Sequence, residues 1–109
     1  MLSTGQIIEF DGGNDTSLFG EVVTRLEGLK PHYVVKTTLG AAYVSDSKIV
    51  QTFPYLEMGS TVYVFREGSK HRYSVLGVTL RLQTAIVIGR CFLTGNISLL
   101  PIQEIAKDE

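Results

Sequence analysis

Few residues in this sequence are of types that carry out chemistry, and they are widely spaced. The two histidines, His32 and His71, each stand beside an expected turn, and the one cysteine, Cys91, lies inside the apolar run AIVIGRCFL. A metal site needs several ligands that converge from compatible spacings, and a catalytic nucleophile needs an activating base. The sequence contains no CxxC, HxxxH or GxxxxGK[ST] motif, and Cys91 with His71 is the one nucleophile–base pair that can be drawn. We therefore expect no metal, no cofactor and no enzymatic activity.

A basic stretch, REGSKHRY, is the most polar feature of the second half of the chain. Its cations lie between two aromatic residues, and such a combination could follow a phosphate backbone while a ring stacks on a base. The alternative is a solvated hairpin loop whose cations keep an edge strand from aggregating. The residues that would form this basic loop are Arg66, Lys70, His71 and Arg72, flanked by Phe65 and Tyr73.

Composition limits the class of protein. The 109 residues are 44% hydrophobic and 19% charged, with eleven glycines and a net charge of −1, which is typical of a globular chain forming one domain or two very small ones. No apolar run approaches the roughly 20 residues that span a bilayer, and no secretion signal is recognised. We expect an intracellular location, cytoplasmic or nuclear, or a virion. Within residues 60–101 only Glu67 opposes five cations: Arg66, Lys70, Arg72, Arg81 and Arg90.

Short runs of β-branched and aromatic residues, separated by glycine, asparagine, aspartate and proline, predict many short strands. We predict strands near residues 5–10, 18–26, 33–38, 41–44, 60–66, 73–82, 85–93 and 96–100, with a 3₁₀ turn at 45–48. No useful length of sequence shows an apolar period of 3.6 residues. The fold class expected is therefore all-β, either two small barrels or one fused barrel or sandwich.

The chain also shows a weak internal similarity. The segment TLGAAYVSDSKIV (38–50) can be laid over TGNISLLPIQEIA (94–106) without a gap, and Gly20 and Gly77 each open an apolar strand, GEVVTRL and GVTLRL. Fixed-period similarity predicts a duplicated unit. The domain prediction is a first repeat over 1–52, a hinge over 53–58 containing Pro54, and a second repeat over 59–109 packed on the first.

The order of these elements resembles that of SH3-like barrels of the Tudor type, and YVVKTTLGAAYVSDSKIV (33–50) is similar to the closing half of such a barrel. Two units joined by a short hinge resemble a tandem Tudor module. The resemblance implies a cage of aromatic rings for methylated lysine or arginine, held by cation–π attraction. In this sequence the cage aromatics would be Phe10 and Phe19, with Tyr33 and Tyr43 as further candidates for partner binding. The expected carboxylate position holds Thr37 or Thr38.

Three functions stay open on the sequence. The first is a non-enzymatic interaction module that binds a protein segment with a barrel face or with a groove between the repeats. The second is a small structural subunit of a larger assembly, such as a virus or phage particle, with self-association. The third, ranked lower, is a nucleic-acid binder that uses the basic loop. No membrane partner is expected.

Overall fold

The computed structural model describes residues 2–28, 30 and 32–107, and it is all-β. Apart from strands it contains only single 3₁₀ turns, which confirms the fold class predicted from the sequence. The chain divides into two compact units. The first comprises the described residues within 1–54 and 80–84, and the second those within 55–79 and 85–109.

The first unit contains one antiparallel sheet of five strands. The strands are β1 (Ile7–Asp11), β2 (Ser17–Leu26), β3 (His32–Thr37), β4 (Gly40–Ser45) and β5 (Ile49–Phe53), with a 3₁₀ turn at Asp46–Lys48 between the last two. Their order across the sheet is β4-β3-β2-β1-β5. Because side chains alternate along a strand, one face of this sheet carries the apolar core. That core consists of Ile8, Phe10, Val22, Tyr33, Val35 and Val44.

The second unit contains a second antiparallel sheet. Its strands are β6 (Thr61–Arg66), β7 (Ser69–Leu80, of which Leu80 belongs to the first unit), β8 (Ala85–Cys91), β9 (Ile97–Pro101) and β10 (Ile105–Lys107), and a 3₁₀ turn at Ile102–Glu104 precedes the last one. A further 3₁₀ turn, Pro54–Leu56, precedes β6. The order across the sheet is β10-β6-β7-β8-β9. The side chains with the least exposure here are Val62, Val64, Val75, Ala85, Val87 and Leu100.

Both sheets have the same internal topology. Read from the other end, the second order is β9-β8-β7-β6-β10, which matches β4-β3-β2-β1-β5 strand for strand. In each unit a 3₁₀ turn precedes the strand that pairs with the first one. A duplication of one unit would produce this correspondence, and the repeat boundaries at 52 and 59 stay a prediction. The first unit also takes in residues 80–84, where the backbone N–H of Phe19 donates to the carbonyl of Leu82 at 3.0 Å.

The stretch expected to be a basic loop is instead a tight hairpin. Only Glu67 and Gly68 separate β6 from β7, and both have positive φ, 52° and 76°. Positive φ at both central residues defines a type I′ turn, whose twist matches that of the flanking strands. Lys70, His71 and Arg72 therefore lie on β7 and not in a loop, and strand pairing fixes the face that each one occupies.

The turn residue Glu67 gives a prediction about stability. A long side chain such as glutamate is uncommon in the left-handed region, which asparagine adopts more readily. We expect Glu67→Asn to raise the free energy of unfolding by about 0.5 kcal/mol, measured by urea denaturation. Glu67→Asp keeps the charge and should give part of the same gain. Equal stability of all three proteins would contradict a type I′ turn at this position.

Candidate functional site

Two of the four aromatic residues predicted for partner binding lie in the core of the first unit. Phe10 and Tyr33 are 4% and 2% exposed and belong to the same apolar cluster. The Tyr33 hydroxyl accepts a hydrogen bond from the backbone N–H of Leu2 at 3.3 Å. The guanidinium of Arg25 lies 6.0 Å from the centre of the Tyr33 ring. In this position both rings stabilise the first unit by packing.

The other two predicted aromatics lie elsewhere. Phe19 is 5% exposed and stacks on Phe53 with 5.7 Å between ring centres. Phe10 pairs with Leu18 across the ladder, so Phe19 points to the opposite face of the sheet from Phe10. Tyr43 is 75% exposed on the edge strand β4. The structure therefore does not bring the rings of Phe10 and Phe19 together.

The second unit has a surface cleft of about 410 Å³, and we call it the basic cleft. It lies where the β6–β7 hairpin meets the end of β8. Among the residues that the structure describes, no aspartate or glutamate lines it. The lining residues are Tyr63, Lys70, His71, Arg72, Cys91, Phe92 and Leu93.

Strand register explains why these residues meet. On the β6–β7 ladder Tyr63 is opposite Arg72, and Phe65 is opposite Lys70, so the four side chains share one face. On the other side of β7, the backbone N–H of Phe92 donates to the carbonyl of Arg72 at 3.0 Å. Cations and aromatic rings thus alternate across three neighbouring segments of the chain.

The cations of the basic cleft lie over aromatic rings. The Lys70 Nζ is 3.8 Å from the centre of the Tyr63 ring, and the Arg72 Cζ is 5.5 Å from the centres of both Tyr63 and Phe92. A cation within about 6 Å of a ring centre is attracted by the ring quadrupole. The aliphatic stems of such residues also cover apolar surface, and Tyr63 is 8% exposed. The rings therefore attract the two charges.

The remaining cations near the basic cleft differ in their surroundings. Arg66 forms an ion pair with Glu104 at 3.6 Å, so its charge is partly neutralised. Arg90 is exposed and lies two residues before Phe92, which places it on the same face by strand alternation. Lys70, Arg72 and Arg90 therefore give one face a charge of three. His71 lines the cleft from the opposite face of β7.

The structure brings Cys91 and His71 to the same cleft, although nothing in the sequence places them together. Hydrogen bonds from the backbone and hydroxyl of Thr94 and from the backbone of Leu93 lower the pKa of the Cys91 thiol, against the effect of burial. These bonds arise in the turn between β8 and β9, where the N–H of Gly95 donates to the Cys91 carbonyl at 2.8 Å. Among the described residues no hydrogen bond joins Cys91 to His71.

Tyr63, Phe92 and Leu93 line the basic cleft but were not predicted as site residues. The sequence does carry a signal for Tyr63, since alternation in TVYVFR puts it on the face opposite Val62 and Val64. Phe92 and Leu93 end the apolar run AIVIGRCFL, yet they are 55% and 89% exposed. Their exposure depends on the turn that follows β8.

Over the described part of the chain, no group of three or more histidine, cysteine, aspartate or glutamate side chains is placed to hold a metal ion. In that same part, no helix has the length and apolar character required to cross a membrane.

Comparison with known proteins gives little similarity. No protein-family model matches the sequence, and no curated protein is significantly similar to it. A solved structure that is similar over 99% of both chains is a selenium-substituted mutant of the SHH1 SAWADEE domain from Arabidopsis thaliana. The identity is 12% and the TM-score is 0.41. Values this low do not place the chain in a family.

Proposed function

We propose that the chain is a non-enzymatic interaction module and that its basic cleft binds an acidic segment of a partner protein. The observation that carries this proposal is the placement of Lys70 and Arg72 over aromatic rings, in a cleft that no carboxylate of the described residues lines. Charge-assisted hydrogen bonds from lysine and arginine to carboxylates are stronger than those between neutral groups. An anionic side chain is therefore the ligand that this arrangement favours.

A methylated lysine is a poor match for the same cleft. An aromatic cage attracts a ligand cation with ring faces that are free. Here the faces of Tyr63 and Phe92 already carry the chain's own Lys70 and Arg72. A cationic ligand would meet two like charges at short range, which disfavours its binding.

A protein ligand is favoured over a nucleic acid by the apolar residues beside the cations. Single-stranded nucleic acids bind to basic grooves with aromatic rings on which bases stack. Next to the basic cleft, the exposed large residues include the aliphatic side chains Leu93, Ile97 and Leu99, which are 89%, 58% and 64% exposed. Aliphatic surface of this kind packs against apolar side chains of a partner protein.

The test is binding of a short fluorescent peptide rich in aspartate and glutamate, followed by anisotropy. We expect the double variant Lys70→Gln/Arg72→Gln to bind about tenfold or more weakly, because it loses two charges yet keeps side chains that cover Tyr63. Lys36→Gln removes an exposed charge from β3 in the first unit and should leave the affinity unchanged. Added salt should weaken the binding.

Two results would overturn the proposal. One is equal affinity for a peptide in which asparagine and glutamine replace the acidic residues. The other is a single-stranded oligonucleotide that binds through Lys70 and Arg72 more tightly than the acidic peptide does, which would make the basic cleft a nucleic-acid site.

A further inference from the structure

The outer edge of β9 has backbone groups that no strand pairs with in the described part of the chain. β9 lies at the end of its sheet and pairs with β8 alone, with Ser98 opposite Gly89 and Leu100 opposite Val87. The hydrogen bond from the Cys91 N–H to the Asn96 carbonyl shows which opposed residue pairs of β8 and β9 are hydrogen-bonded to each other. Because bonding alternates along an antiparallel pair, Ser98 and Leu100 bond to β8, and the N–H and C=O groups of Ile97 and Leu99 point outward.

The side chains on this edge are apolar and exposed. β9 has the sequence ISLLP and carries no charged residue that would prevent pairing with another strand, although Pro101 at its end has no N–H to donate. Ile97 and Leu99 are 58% and 64% exposed, and both lie on the face that carries Arg90, since Arg90 is opposite Ile97. A strand placed beside β9 would cover both side chains and satisfy the outward backbone groups.

The edge is continuous with the basic cleft. The turn from residue 92 to 96 joins β8 to β9, and its first two residues, Phe92 and Leu93, line the cleft. A segment lying along β9 and extending past this turn would reach Lys70 and Arg72. The positive charge of Lys70 and Arg72 therefore favours some segments over others as the occupant of this edge.

Charge complementarity favours an acidic partner over a second copy of this chain. Lys70, Arg72 and Arg90 lie on the face shared by the edge and the cleft, and in the described part of the chain no carboxylate lines the cleft. Two copies of the chain paired through β9 would place two identical sets of these cations in one assembly, and like charges repel each other. An acidic segment from another protein would instead add charge of opposite sign. The edge strand β4 has a weaker set beside it, since the described arginine and lysine residues of its two nearest strands are Lys36 on β3 and Arg25 on β2, and Arg25 is paired with Glu27.

We infer that the partner adds an extended strand to the outer edge of β9 and places its acidic residues in the basic cleft. This inference rests on the proposed function. It specifies the class of partner: an extended segment with acidic residues at one end, followed by alternating apolar and small polar residues. Main-chain hydrogen bonds to Ile97 and Leu99 would supply affinity, and the cleft would supply selectivity.

The test uses the full chain and a synthetic peptide with acidic residues followed by alternating valine and threonine. In a strand added to β9, every second amide of the peptide faces Ile97 and Leu99. Two versions are prepared, with N-methyl groups on the even or on the odd amides of the valine–threonine part. We expect one version to bind about tenfold or more weakly than the other, because only one of them loses donors to the edge.

Amide hydrogen exchange provides a second measurement. Binding of the unmethylated peptide should slow the exchange of the Ile97 and Leu99 amides, whereas those of Ser98 and Leu100 are already bonded to β8 and should change less. Equal affinity of the two methylated peptides, with no protection at Ile97 and Leu99, would overturn strand addition.

The two proposals fail in different ways. If the peptide binds with dependence on Lys70 and Arg72 but without dependence on methylation, the basic cleft stands and strand addition is wrong. If replacing the acidic residues by asparagine and glutamine leaves binding unchanged, the proposed function is wrong.

Discussion

Truncation of Leu100 to alanine is expected to lower the free energy of unfolding of the second unit by about 3 kcal/mol. Leu100 is 0% exposed, and it is opposite Val87, which is also fully buried. The variant loses the transfer free energy of the deleted methyl groups and leaves a cavity that a close-packed interior fills only partly. A loss of this size is a large fraction of the stability of a small domain. The measurement is a denaturant titration followed by far-UV circular dichroism.

Leu99→Ala provides a matched control, because it makes the same chemical change at the next position of β9. The side chain of Leu99 is 64% exposed and faces away from the core. We expect it to change stability by no more than about 0.5 kcal/mol, as is usual for surface positions. A larger loss for Leu99→Ala than for Leu100→Ala would show that β9 is shifted by one residue from the register described.

The second large effect is expected from Gly20→Ala in β2. A Cβ atom at this position would lie 2.2 Å from Val35 Cγ1 and 3.0 Å from the carbonyl oxygen of Lys36. Val35 is fully buried, and the carbonyl belongs to the backbone of the neighbouring strand, so neither neighbour moves without disturbing the sheet. Overpacking of this kind costs about 1–3 kcal/mol and at times more. We expect a loss near 3 kcal/mol in the first unit, again by denaturant titration.

Gly77→Ala is the control for this substitution. A Cβ atom at Gly77 would meet no heavy atom within 4 Å, and the backbone there is not in the left-handed region. Alanine reduces the conformational entropy of the unfolded chain, so the variant should be neutral or more stable by up to about 1 kcal/mol. A destabilisation as large as that of Gly20→Ala would mean that Gly77 is also a position of close approach, contrary to the structure.

Gly20 and Gly77 illustrate what the sequence alone predicts and what it does not. Each opens an apolar strand, and the internal similarity gives them equivalent roles. Only the packing distinguishes them, because close approach depends on which strand lies alongside. Strand pairing also reveals β5 (Ile49–Phe53), which the sequence pattern did not indicate and whose last residue, Phe53, falls within the predicted hinge. Pro54 in fact begins a 3₁₀ turn after the strand has ended.

The sequence by itself determined the all-β class and the approximate limits of most strands. The physical reason is local, since alternating β-branched and aromatic residues fit a half-buried sheet and glycine, asparagine and proline interrupt it. The sequence also showed that cations outnumber acids between residues 60 and 101. It did not determine which of those cations act together.

Only the tertiary structure decided where the basic cleft is. Tyr63, Arg72 and Phe92 belong to three different segments, and pairing across β7 brings them side by side. The two-residue turn at Glu67 and Gly68 sets that register. A shift of one residue would move Lys70 and Arg72 to the opposite face of the sheet. The cleft therefore exists because a tight turn fixes the pairing of residues that are distant in sequence.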